Sequence, residues 1–266
     1  MSTQWREIAA QFDARAQNYG RNDWHRSCAN RLVDLCRVDI GSHVLDAGTG
    51  TGFAALALAR AVGPAGRVVA VDISPGMLRE ARRAVEEAGF AHVELLERDA
   101  TSLAELGPGT LDVVTCVAAL LYMPVGEALR EWHRLLRPGG IIAFSTMRAG
   151  SPAAGRIFRQ CATNYGLLLA DPSEALGSEA SCRLALSAAG FNVVSIVGES
   201  VKFSVQDHAL AWESNFKSSG HAAVQGLSAE DQRALKTGFL AAMAQAAEAR
   251  PGELDRAHVI YAIGQR

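Results

Sequence analysis

The segment VLDAGTGTGFAALALA, residues 44–59, carries the clearest chemical signal in the chain. Gly48, Gly50 and Gly52 follow a short apolar run directly and open a helical pattern. Glycine permits a tight turn and lets a ligand approach the backbone with no side chain between. The helix that follows leaves N–H groups free in its first turn, where a ligand carboxylate is well placed. Asp46 precedes the loop. An acid there can fix the loop backbone or accept a hydrogen bond from a ligand ammonium. Asp72 lies 20 residues beyond Gly52 and closes the next apolar run, a position that suits the two hydroxyls of a ribose. Asp99 closes the third run, followed by Ala100, and is placed to accept from an adenine amino group. Each acid alone reads equally well as a loop cap or a solvated charge. Three of them ending three successive runs beside one glycine turn read as a nucleoside-binding edge. Dinucleotide enzymes use GxGxxG, and here Phe53 takes the place of that third glycine.

The elements that must position these residues alternate along the chain. Apolar runs of β type stand at 43–48, 67–73, 92–99, 111–120 and 140–147, with helical stretches between them. The runs are apolar on both faces, as parallel strands covered by helices should be. Ser74 is an expected N-cap with Pro75 in the first turn, and Gly89 an expected stop. Val125, Leu129, Trp132 and Leu136 share one helix face, and Pro138-Gly139-Gly140 turns into the fifth run. His133 lies off that face and is expected exposed. Helices are expected near 152–169, 173–189 and over much of 203–252, with Ser228 and Asp231 as a capping pair. Strands are expected at 191–199 and 258–263. The pattern predicts an α/β fold: a doubly wound, seven-stranded, mostly parallel sheet with helices on both faces and a helical cap. Residues 1–40 form an N-terminal helical segment, 41–148 the core, and 149–266 the remaining strands with the inserted cap. Ligands of open α/β sheets bind at the carboxyl ends of the strands, so the extra helices are placed to serve as a lid there.

Composition narrows the partners. The 266 residues are 49% hydrophobic and 20% charged, with a formal net charge of -2, which is ordinary for a chain that buries a sizeable core. No Lys/Arg block stands out, so nucleic acid and anionic membrane are poor partners. Five scattered cysteines, without CxxC or zinc-ligand spacing, suit a reducing compartment. The N-terminus lacks the apolar core of a signal peptide, and no window is apolar enough to span a membrane. The expected location is cytoplasmic, the expected assembly a monomer or homodimer.

The glycine loop with Asp46, Asp72 and Asp99 resembles class I, Rossmann-like S-adenosylmethionine-dependent methyltransferases. FDARAQNYG, 12–20, is similar to the FDxxAxxYD opening of the ubiquinone- and menaquinone-biosynthesis branch, with Gly20 in place of its last acid. LRPGG, 136–140, matches the family's turn into strand five. The resemblance covers residues 10–147 and is architectural beyond. It implies S-adenosyl-L-methionine as cofactor, S-adenosyl-L-homocysteine as product and no metal. It further implies cofactor contacts from Asp46, Gly48, Thr49, Gly50, Asp72, Ile73, Met77, Asp99, Ala100 and Cys116. Cys116 reads equally as a small buried hydrophobe.

Methyl transfer is an in-line displacement in which sulfur departs neutral. The protein must align nucleophile, methyl and sulfur and keep water away. A general base adds about 10²–10⁴-fold where the nucleophile must lose a proton. Tyr122, in ALLYMP after strand four, is expected to face the methyl as wall or catalyst. Tyr19 and His25 lie in the segment over the cofactor, and His25 reads somewhat more readily as a surface or packing residue than as the candidate base. His208 and His221 in the cap are weaker candidates. Trp212 and Phe216, four apart, either pack the cap core or stack on a planar acceptor. The expected activity is methyl transfer to an O, N or C nucleophile of a small-molecule acceptor, natural products included. Two other activities fit fewer features: a cofactor-binding protein of the same fold that catalyses a non-methylating rearrangement or serves as an interaction partner, and a nicotinamide-dependent oxidoreductase.

Overall fold

A computed structural model describes residues 3–19, 23–202 and 210–266. Two helices come first, α1 (Thr3–Tyr19) and α2 (Asp23–Cys36). The alternating core follows: β1 (His43–Ala47), α3 (Phe53–Val62), β2 (Arg67–Asp72), α4 (Pro75–Ala88), β3 (Val93–Glu97), β4 (Leu111–Val117), α5 (Val125–Leu135) and β5 (Leu136–Met147). Beyond it come α6 (Ala153–Ala162), α7 (Glu179–Ala188), β6 (Asn192–Lys202), α8 (Ala211–Phe216), α9 (Ala222–Gln225), α10 (Ala229–Ala249) and β7 (Arg256–Gln265). The sheet order is β3-β2-β1-β4-β5-β7-β6. The first five strands pair in parallel, while β7 runs antiparallel to both β5 and β6. The order in which strands are added reverses between β1 and β4, so the carboxyl ends of β1, β2 and β4 open a crevice at that switch point.

Local chemistry accounts for several element ends. Ser74 Oγ accepts from Met77 N at 3.1 Å, and Gly89 at φ +71 returns its N–H to the last turn of α4. Ser228 Oγ accepts from Asp231 N and donates to its carboxylate, opening α10 as expected. Val44, Leu45, Val68, Val69, Val113 and Val114 are all 5% exposed or less, because helices cover both sheet faces. Each such side chain contributes roughly 1.5–3 kcal/mol on burial.

Several expectations shift. No helix joins β3 to β4: residues 98–110 form turns broken by Gly107-Pro108-Gly109. Trp132 Nε1 donates to Ala100 O at 2.8 Å and Leu103 N to Glu131 at 2.8 Å, so α5 staples this link. The ladder of β5 already begins at Leu136, ahead of the expected Gly140, and its register slips between Leu111 and Val113. The helix expected over 152–169 stops at Ala162, a short 3-10 turn over Thr163–Tyr165 follows, and Gly166 at φ +72 ends that turn. His133 is half-buried with its ring 5.0 Å from Phe191, because the Gly190 turn folds over it.

The core has three parts. One lies on each face of the sheet, and the third lies among α6, α8, α9 and α10. Phe158, Trp212 and Phe239 form the centre of this third cluster, with ring centroids 5.5 to 5.8 Å apart. His221 stacks on Phe158 at 5.0 Å and its Nδ1 bonds Asn215 O at 2.8 Å, so it is a buried packing residue. Trp212 is likewise core, stacked on half-buried Phe216 at 5.3 Å. His208 lies outside the described residues. Among the described residues no helix is long and apolar enough to cross a membrane.

Candidate functional site

The switch-point crevice has a floor, a wall and a roof. The floor is the turn after β1. Gly48 and Thr49 both donate to Val71 O at 2.9 Å, which ties the turn to β2. Gly48 sits at φ +72, and a Cβ there would lie 2.6 Å from Ala119 Cβ. Only glycine fits this close approach. Gly50 N–H donates to Asp72 Oδ2 at 2.8 Å, and Ser74 N–H to Asp72 Oδ1 at 2.9 Å. Asp72 therefore links the glycine turn to the start of α4. Burial raises its carboxyl above the usual range, and those amide bonds oppose the rise.

Asp46 lies under this turn, fully buried. Its Oδ1 accepts from the Thr115 hydroxyl at 3.0 Å, while Oδ2 has no partner among the described residues. Burial pushes its carboxyl up to about 6 against the pull of hydrogen bonds, with the Asp72 charge adding to the rise. The hydroxyls of Thr49 and Thr51 are also buried without a partner. Polar atoms left so are costly unless a ligand or water meets them.

The wall continues from β2 through β4. Ile73, Met77, Arg98 and Ala100 line the crevice on one side, and Val117, Ala118, Ala119, Tyr122 and Met123 on the other. Asp99 does not line it. Its Oδ1 accepts from Thr101 N at 2.9 Å and Thr101 Oγ1 at 2.7 Å, which turns the chain so that Ala100 faces inward. Cys116 is buried in the sheet core one residue behind Val117, and burial raises its thiol. Ala118 holds φ +51 and donates to Ser145 O and Oγ, both at 3.1 Å. A non-glycine residue in this region stores backbone strain, a feature that clusters at functional sites.

The roof is α1. Trp5, Ile8, Phe12 and Tyr19 line the crevice from above. Asp13 holds this helix down: its Oδ1 accepts from Ser74 Oγ at 2.5 Å and Gly76 N at 2.7 Å. A Cβ on Gly76 would lie 2.6 Å from that oxygen, so the docking needs glycine. The Phe12 ring meets Tyr122 at 5.3 Å and Tyr19 at 6.2 Å, both edge-on. Burial raises both phenols. His25 is not in the lining. It backs Tyr19 at 4.4 Å and stacks on Trp24 at 3.7 Å. Burial and the Arg15 charge hold it down to about 3, so its imidazole is neutral across the physiological range.

Eight of the residues expected from the sequence therefore meet in one crevice: Tyr19, Gly48, Gly50, Asp72, Ile73, Met77, Ala100 and Tyr122. Asp46, Thr49, Asp99, Cys116 and His25 stand behind it. Asp13, Phe12, Trp5, Ile8 and Met123 were not among the residues the sequence singled out for the site. The steps 5-8-12-19 mark a helix face and could have flagged the aromatic roof. Ala118 carries no such signal, since its strain depends on the sheet around it.

A methyltransferase-domain family matches residues 44–140. Aklanonic acid methyltransferase of a Streptomyces species is 33% identical over 156 residues, 55% of this chain and 68% of that protein. A demethylmenaquinone methyltransferase of Listeria welshimeri is 33% identical over 136 residues, 50% of this chain but only 57% of its own length. Geranyl diphosphate C-methyltransferase from Streptomyces coelicolor, solved with S-adenosyl-L-homocysteine, shares the fold with a TM-score of 0.55 at 17% identity, over 90% of this chain and 78% of that one. The chain belongs to the S-adenosylmethionine-dependent methyltransferases, of the class I Rossmann-like fold. The cofactor is S-adenosyl-L-methionine. The site fits it on its own terms, with an unpartnered buried carboxylate oxygen on Asp46 and a side-chain-free turn at Gly48.

Proposed function

We propose that the chain methylates a small, largely planar organic acceptor held under α1, as part of natural-product or quinone-type chemistry. The observation that carries this is the meeting of roof and wall: Phe12 and Tyr19 of α1 and Tyr122 of the wall form a continuous aromatic surface beside the glycine turn. Flat aromatic walls favour flat ligands through offset and edge contacts. The relatives named for aklanonic acid and demethylmenaquinone support a small-molecule acceptor. The cofactor supplies an electrophilic methyl on a sulfonium sulfur.

The chain's own residues divide the remaining tasks. Gly48, Thr49 and Gly50 cradle the amino-acid end of the cofactor, and Asp46 receives its charge from below. Asp72 takes the ribose hydroxyls with the lone pairs its two amide donors leave free. Ile73, Met77 and Ala100 enclose the adenine, with Asp99 shaping the turn that presents Ala100. Cys116 supports the wall from within β4. Tyr19 and Tyr122 align the acceptor and exclude water, and His25 braces Tyr19. Asp72 is the sole carboxylate in the described lining and is committed to the loop, so no lining side chain is suited to act as general base. The cap of α6 and α8–α10 acts as a lid beside α1. The protein works in the cytoplasm, as its five unpaired thiols suit. It acts on small molecules and not on nucleic acid, as a monomer or homodimer.

Incubation with methyl-labelled S-adenosylmethionine and a panel of hydroxylated, carboxylated and amino naphthalenes tests this. Label should move to a planar acceptor, with S-adenosylhomocysteine formed in equal amount. Turnover of an acceptor without S-adenosylhomocysteine would replace methylation by the rearrangement chemistry noted above.

A further inference from the structure

Five side chains on α1 recur at steps of three and four: Trp5, Ile8, Phe12, Arg15 and Tyr19. Such steps stack them on one face of a helix. The other four line the crevice, and Arg15, the one charge in the series, stands just outside the lining, behind Phe12. Its guanidinium carbon lies 4.7 Å above the Phe12 ring, the ring that meets Tyr122 edge-on. Its Nε donates to Gln11 O at 3.2 Å. Among the described residues it forms no ion pair, whereas Arg31, Arg67, Arg98, Arg134 and Arg159 each have a carboxylate partner. The Arg15 charge also reaches the crevice, opposing the upward push of burial on Tyr19 and Tyr122. Its charge is felt by the Tyr19 and Tyr122 phenols and by His25, and its guanidinium lies over the Phe12 ring. A half-buried guanidinium left in such company has unused capacity for an anion.

We infer that Arg15 selects an acceptor that enters the crevice as an oxyanion on a planar ring system, either a carboxylate or an acidic phenol or enol. This rests on the proposed function above. It also explains how transfer proceeds without a base in the lining. The acceptor loses its proton to water before binding. A lone pair of its oxygen then forms the O–C bond, the C–S bond breaks, and that electron pair stays on sulfur. Oxyanion and sulfonium become a neutral methyl ester or ether and a neutral thioether, and no proton moves. The acceptor charge fades toward the transition state, so Arg15 attracts the ground state more than the transition state. Its loss should raise KM steeply without lowering kcat, which should hold or rise somewhat. The neutral product no longer has a hold on Arg15, which favours its release.

The test is calorimetric titration of full-length protein saturated with S-adenosylhomocysteine. The probes are 2-naphthoate with its neutral isostere 2-naphthamide, and ionised 1-nitro-2-naphthol with neutral 1-nitronaphthalene. Wild type should bind at least one anion roughly tenfold or more tighter than its neutral counterpart, as expected for a charged hydrogen bond. The pair that shows the difference tells carboxylate from phenolate. Arg15→Gln should abolish the difference and Arg15→Lys should keep part of it, both with wild-type affinity for S-adenosylhomocysteine. Equal binding of anion and neutral probe, no binding of any probe, or a preference surviving in Arg15→Gln would overturn the inference. Loss of S-adenosylhomocysteine affinity in Arg15→Gln would also overturn it, by making Arg15 a strut of α1. Methyl transfer by wild type to neutral acceptors alone would remove this inference and leave the proposed function standing.

Discussion

The floor of the crevice carries its charge on carboxylates tied to the backbone, while the roof carries rings backed by Arg15, which has no ionic partner among the described residues. Asp72 binds the amides of Gly50 and Ser74, and Asp46 is locked under the turn by Thr115. Phe12 and Tyr19 come from one helix pinned by one carboxylate, Asp13. Fixed polar geometry suits a ligand whose shape never changes. An aromatic face on a pinned helix suits a ligand that must enter and leave. The comparison assigns cofactor affinity to the floor and acceptor choice to the roof.

The largest expected effect breaks the floor. Gly48→Val places a side chain against Ala119 at a positive φ, which costs about 1–3 kcal/mol in strain before the clash is counted. S-adenosylhomocysteine affinity should fall by roughly 100-fold or more, with the circular dichroism spectrum retained. Retained affinity would mean that the ligand does not use this turn.

Phe158→Ala separates the cap from both. It removes a fully buried ring from the third cluster and should cost about 3–5 kcal/mol locally. Hydrogen exchange should quicken across α6 and α10 while cofactor affinity holds. Equal quickening in β1 and β2 would show that cap and floor unfold as one.

Asp13→Ala should loosen the roof alone. It removes a charged acceptor from two donors, so proteolysis within α1 should accelerate and cofactor affinity should drop by about tenfold. Unchanged proteolysis would deny Asp13 its pinning role.

The pH dependence sharpens the comparison further. Asp46 titrates near 6 when free, and a cofactor ammonium above it favours the ionised form. Affinity should therefore weaken as pH falls below about 6, by up to about tenfold per unit, and Asp46→Asn should flatten that slope. Stability of the free protein runs the opposite way. The folded state holds the proton more tightly than the unfolded chain, so Asp46 lowers stability as pH rises from the ordinary carboxylate range to about 6. The smallest expected effect concerns the roof: His25→Gln should leave the kcat/KM profile unchanged between about pH 6 and 9, because a group held near 3 does not titrate there. A limb that disappears in the variant would restore His25 as a base.

Much of the floor was legible because its constraints are local. A glycine with positive φ, a Ser-Pro helix start and an acid ending a strand are each written in a few adjacent residues. Asp13 and Asp99 show where that ends. Asp99 stands where expected yet turns toward Thr101, a choice made by the β3–β4 link that Trp132 staples. Asp13 reaches Ser74 and Gly76, some sixty residues away, and its role exists only once α1 packs on α4. For His25 residue type alone left base and packing residue both open, and its stacking on Tyr19 and Trp24 depends on the packing of α1 against α2.

Calorimetric titration of S-adenosylmethionine and S-adenosylhomocysteine into wild type and Asp72→Ala tests the central claim most directly. Both ligands should bind wild type at one site, and the variant should lose most of that affinity, because Asp72 holds the glycine turn and, in the proposed site, takes the ribose hydroxyls. Absence of binding to wild type, or undiminished binding to Asp72→Ala, would contradict a cofactor site at the β1–β2 edge.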